Sequence, residues 1–116
     1  MKKAVVEAWL SGLRSGKYKQ HNGSINNGDF DYSSPNGLRI MIVPPTAFCC
    51  IGVGAMCNGM NVEDMRITNH ASAFIGLRSY GQWEAELIKM NDKDKKSFEE
   101  IADWIEANIL PNATEE

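Results

Sequence analysis

Three kinds of side chain in this 116-residue chain have the chemistry to do work: thiols, imidazoles and clustered charges. The thiols are Cys49, Cys50 and Cys57, and the histidines are His21 and His70. A zinc finger needs paired ligands at spacings such as C-x2-C with a second pair downstream, which these residues do not supply. Spacing does not exclude a Cys–His nucleophile, because such partners meet in space rather than along the chain. The commoner fate of a cysteine is burial as a small hydrophobe. Adjacent residues on a helix point about 100° apart, so Cys49 and Cys50 are expected to meet different neighbours. An odd count with two adjacent suits reduced thiols in a cytosol better than a disulfide framework. The glycosylation triplets at Asn22 and Asn112 are therefore read as irrelevant. No Gly-rich phosphate loop, HExxH, GxSxG or paired-carboxylate arrangement appears, so no catalytic residue, metal ligand or cofactor is assigned.

The charged residues say more. The stretch KMNDKDKKSFEEIADWIEANI, from Lys89 to Ile109, admits three readings. A calcium loop starting at Asp92 would put Lys96 at its fifth position, Ser97 at the glycine position and Asp103 where a bidentate glutamate belongs. It fails. A helix-turn-helix would place residues 97–109 in the major groove, but Glu99, Asp103 and Glu106 share the exposed face. Recognition of DNA depends on cations meeting phosphates, so direct DNA reading by this helix is excluded. A helical hairpin with an acidic back accounts for the rest. That back has no lysine interleaved, unlike most solvated helices, and Glu99, Asp103 and Glu106 become the candidate binding face for a basic partner. A mimic of nucleic acid would need a net charge well beyond −3. The second candidate is RSGKYKQH, in which Arg14, Lys17, Tyr18 and Lys19 combine cations with an aromatic ring. Such a patch suits phosphate, a nucleotide-like anion or an acidic protein surface; its structural alternative is an edge strand kept soluble by lysines. Charge is polarised accordingly: residues 1–44 carry +3, residues 45–116 carry −6, and the last twenty residues hold six acids and no base.

These groups must be held by an α+β fold. With 43% apolar and 23% charged residues the chain fits one domain, residues 1–116, with one modest core. No apolar run approaches the ~20 residues a membrane helix needs. Residues 3–14 read as an amphipathic N-terminal helix stopped by Gly16. Residues 17–43 read as a small antiparallel sheet of hairpins, GKYKQ-HNG-SIN and a second built on DFDY, SPNG and LRIMIV, each with an Asn-Gly turn. The apolar run FCCIGVGAMC reads as a buried central helix, despite Gly52 and Gly54. NGMNVEDMRITNH reads as loop. Residues 82–90 and the segment after Ser97 read as a C-terminal helical hairpin. Ser97 and Glu100 form its capping box, and Pro111 ends it.

Three segments, LRSGKYKQ, FCCIGV and KMNDKDKKSFEEIADWIE, resemble in that order a family of small bacteriophage and prophage proteins. That family shows Ala-Leu-Arg-Ser-Gly-x-Tyr-x-Gln, then Tyr-Cys-Cys-Leu-Gly-Val, then Leu-Asn-Asp followed by Ser-Phe-x-Glu-Ile-Ala-Asp. The match touches about a third of the chain. Gly54 stands where a helix-favouring residue is expected, and Lys95 and Lys96 fill a gap that often holds glycine. The resemblance implies phage or prophage origin and the host cytoplasm, and it brings no catalytic residues. The expected function is a small non-enzymatic protein that binds a host protein, as an inhibitor of a host enzyme or defence system. The alternatives are a binder or sequestrant of a small nucleotide-like anion, and a thiol-dependent enzyme.

Overall fold

The computed structural model describes residues 1–31, 40–65 and 67–115. It shows a mixed α+β fold that is mostly helical. Helix α1 spans Lys3–Arg14 and buries Val6, Trp9, Leu10 and Leu13, the stripe its 3.6-residue period dictates. Helix α2, Cys50–Cys57, has no polar face, and six of its eight residues are buried. A helix apolar all round must lie at the centre. Trp9 locks α1 to it: the indole Nε1 donates to the Cys50 carbonyl at 2.8 Å. The ring lies so close to Gly54 that a Cβ there would sit 2.9 Å from Nε1. Gly54 is thus required by packing, although it weakens an isolated helix.

The strands depart from the expected antiparallel sheet of hairpins. Among the described residues they form two separate pairs. Strand β1, Lys19–Gln20, runs parallel to β4, Ala47–Phe48, with Lys19 opposite Ala47. The chain at residues 25–27 lies along the other edge of β4, where the Asn27 amide reaches the Ala47 carbonyl and the Cys49 amide reaches that of Ile25. The GKYKQ-HNG-SIN segment therefore wraps around β4 instead of folding on itself. The reason is burial: Ala47 and Phe48 are both buried, so β4 takes the central position and both its edges need partners. Strands β2 (Asp29–Asp31) and β3 (Ile40–Val43) pair antiparallel with an irregularity at Asp29–Phe30. The expected SPNG turn lies outside the described residues.

The second half contains a helix that begins within the last three residues of the expected loop and runs on through a stretch the sequence pattern does not assign. Helix α3, Thr68–Phe74, packs on α2 and buries Ala71 and Ser72. Helix α4, Gly81–Ile88, continues into a π-helical turn, Lys89–Lys93, and α5 spans Phe98–Asn108 behind the expected capping box. The C-terminal pair is not a packed hairpin. Helix α4 rests on α2, whereas α5 packs along α1. The widened π turn and Lys95 at a φ of +52° redirect the chain, so that Phe98, Ile101, Ala102 and Ile105 enter the core beside α1. No helix among the described residues is long and apolar enough to cross a membrane.

Candidate functional site

The two candidate charged patches meet. Arg14, the last residue of α1, reaches across to the outer face of α5 and contacts all three carboxylates proposed there. Its guanidinium donates to Asp103 at 2.9 Å and to Glu106 at 3.1 Å, and Nε lies 3.7 Å from Glu99. The face therefore does have a cation, supplied by another helix. Glu106, and then Asp103, hold the guanidinium proton more firmly than usual. One positive charge against three negative leaves the face net acidic, and each carboxylate is more than half exposed. At the N-terminal end of α5, Glu100 accepts from the Ser97 amide, which with the Ser97 hydroxyl and Lys96 lowers its pKa.

Arg14 is thereby drawn away from the basic patch. Lys17 and Tyr18 instead line a cleft of about 320 Å³ with Ser11, Ser15 and Cys57, while Lys19 is exposed on β1. Lys17 Nζ stands 6.0 Å from the centre of the Tyr18 ring, and the edge of that ring meets Phe48. The two buried thiols are unsuited to nucleophilic work. Cys49 caps α2, accepting from the Gly52 amide, and burial pushes its thiol up to about 11. Cys50 is fully buried, which pushes its thiol well up as well, and its Sγ is directed at the Leu87 carbonyl. The two adjacent cysteines do meet different neighbours. Cys57 is half-buried beside Tyr18, and burial raises it as well.

The residue the sequence reading passed over is Asn91, buried in the π turn. Its Oδ1 accepts from the Cys50 amide at 3.1 Å and from Gln20 Nε2 at 3.0 Å. Its Nδ2 donates to the His21 carbonyl at 2.8 Å and to Asp92 Oδ1 at 2.7 Å. Both donors and both acceptor positions of the amide are used, so nothing remains to hold a ligand. Asp92 accepts from the Gly23 amide at 2.9 Å, and Asn22 Nδ2 donates to the Asn91 carbonyl. Gln20 also donates to the Lys96 carbonyl at 2.7 Å. Gln20, Cys50 and Asn91 each belong to one of the three segments that carry the phage resemblance, and here they form one hydrogen-bonded unit. That co-occurrence was the available signal.

Among the described residues no group of three or more His, Cys, Asp or Glu side chains converges as a metal site. An aromatic cleft of about 350 Å³ lies at the start of α4, where Tyr80 stacks on Trp83 at 4.6 Å. No protein-family model, curated protein or solved structure matches this chain.

Proposed function

We propose that this chain is a small non-enzymatic binding protein of phage or prophage origin. It acts in the host cytoplasm on a host protein with a basic surface, and so inhibits a host enzyme or defence system. The docking face is the outer side of α5 with the end of α1. The observation that carries this reading is the geometry of Glu99, Asp103 and Glu106 around Arg14. The guanidinium gathers three carboxylates without neutralising them, which gives a net-negative surface. Charge of this kind speeds encounter with a cationic partner and selects against anionic ones. The three-segment resemblance supports the phage origin and hence a bacterial host.

The test is affinity enrichment from bacterial lysate with the wild-type chain and an Asp103→Lys/Glu106→Lys variant, after circular dichroism shows both are folded. A stoichiometric partner held by the first and lost by the second supports the reading. Recovery of no such partner, or equal recovery by both, refutes it. The small-anion alternative now rests on the Lys17–Tyr18 cleft without Arg14. It requires a nucleotide-induced thermal shift that disappears in Lys17→Ala/Lys19→Ala.

A further inference from the structure

The turn after α4 has a character opposite to the rest of the molecule. Residues 17–24 and 89–96 together hold six lysines and two aspartates, a local charge of +4 on a chain of net charge −3. These segments are distant in sequence and are joined by the Asn91 unit: Gln20 to Lys96, Asn22 to Asn91, and Gly23 to Asp92. Lys89 pairs with Asp94 and Lys96 with Glu100. Lys93 and Lys95 make no ion pair among the described residues, and both are exposed, as is Lys19.

Lys95 carries the second observation. It is the one non-glycine among the described residues with positive φ, at +52°. It lies where the α4 extension ends, with the Lys96 amide closing back on the Met90 carbonyl at 2.8 Å. A C-terminal stop of this kind favours glycine. A lysine in the left-handed region, in a turn closed by backbone hydrogen bonds, is a strained residue of the sort that clusters at functional sites.

We infer that the Lys93–Lys96 turn is a binding site for the phosphodiester backbone of nucleic acid. The Lys93–Lys96 turn exposes three cations, one aspartate and no aromatic ring, so it offers charge contacts and no platform for stacking a base. Phosphate contacts need only cations and polar donors, and they position a strand without reading its bases. The strand approaches from the side of residues 19–23, because the carboxylates of α5 repel phosphate from the other. This contact is separate from the acidic face and does not place a helix in a groove.

Fluorescence anisotropy with a labelled single strand of about 20 nucleotides and the matching duplex, at about 50 and 200 mM salt, tests the site. Lys93→Gln/Lys95→Gln is expected to weaken single-strand binding roughly tenfold or more. It should also reduce the slope of log K against log salt by about 1.4, or about 0.7 for each lost contact. Lys95→Gly, which keeps the turn and removes one charge, should give about half that slope change. The duplex arm distinguishes which form supplies the phosphates. No wild-type binding to either oligonucleotide at the lower salt overturns the inference. So does unchanged affinity in the double variant, and so does binding to poly-glutamate as tight as to the oligonucleotides.

Discussion

Asn91→Ala removes the side chain that joins α2, the 20–23 segment and the π turn. Its largest cost is the Cys50 amide, which is left without its partner in a fully buried residue. An orphaned buried N–H costs about 1–3 kcal/mol. The contacts to Gln20, His21 and Asp92 lie nearer solvent, where water replaces part of what is lost, so each adds at most about 0.5–1 kcal/mol. Together these come to about 2.5–6 kcal/mol, a large fraction of the roughly 5–15 kcal/mol typical of a domain. Urea unfolding followed by tryptophan fluorescence should show a lower midpoint with an unchanged slope, and Tm should fall by about 10 °C or more. Asn91→Asp gives an internal control. It keeps the acceptor for Cys50 but sets a carboxylate against the His21 carbonyl and Asp92. That carboxyl has a folded pKa above its unfolded value, so the folded state binds the extra proton and the variant regains stability as pH falls. A loss below about 1 kcal/mol for Asn91→Ala, or no recovery of Asn91→Asp in acid, would refute the assignment of Asn91 as the joint.

Lys95→Gly should stabilise the fold by about 0.5–1 kcal/mol, because glycine carries no Cβ penalty at positive φ; chemical denaturation that shows a loss contradicts this. Gly54→Ala places a methyl group against the Trp9 ring, so overpacking of about 1–3 kcal/mol outweighs the ~1 kcal/mol gain in helix propensity, and a neutral or stabilising result would be inconsistent with the packing described. Thiol labelling at neutral pH should modify Cys57 in the native protein and all three cysteines after unfolding. Because the folded Cys49 thiol sits near 11 against an ordinary 9.0, the unfolded chain loses its proton first. Stability contributed by that thiol is therefore present below about pH 9 and lost as pH rises towards 11, which alkaline unfolding would detect.

Much of this fold is legible in local pattern. The bounds of α1, the stop at Gly16, the capping box of Ser97 and Glu100 and the buried stripe of α5 all follow from spacing within one element. The features that were not legible depend on contacts between elements. Nothing in GKYKQHNGSIN reveals that β4 will lie between its two halves, since that depends on the burial of Ala47 and Phe48. Helix α3 is a short segment with a weak pattern whose packing on α2 decides its conformation. The candidate site divides in the same way. Glu99, Asp103 and Glu106 share a face by helical period, whereas the Arg14 that holds them comes from a residue 85 or more positions earlier. Asn91 reads as an ordinary polar turn residue until the turn is seen to be buried.

The central claim is that the outer face of α5 touches a host protein. Ala107 is exposed one turn beyond Asp103, and Gln82 is exposed at the start of α4. A photo-crosslinking residue placed at Ala107 in bacterial cells is predicted to give a discrete adduct that disappears when Asp103 and Glu106 are both changed to lysine. The same probe at Gln82 should give no such adduct. Absence of an adduct at position 107, or the same adduct from both positions, would contradict the account.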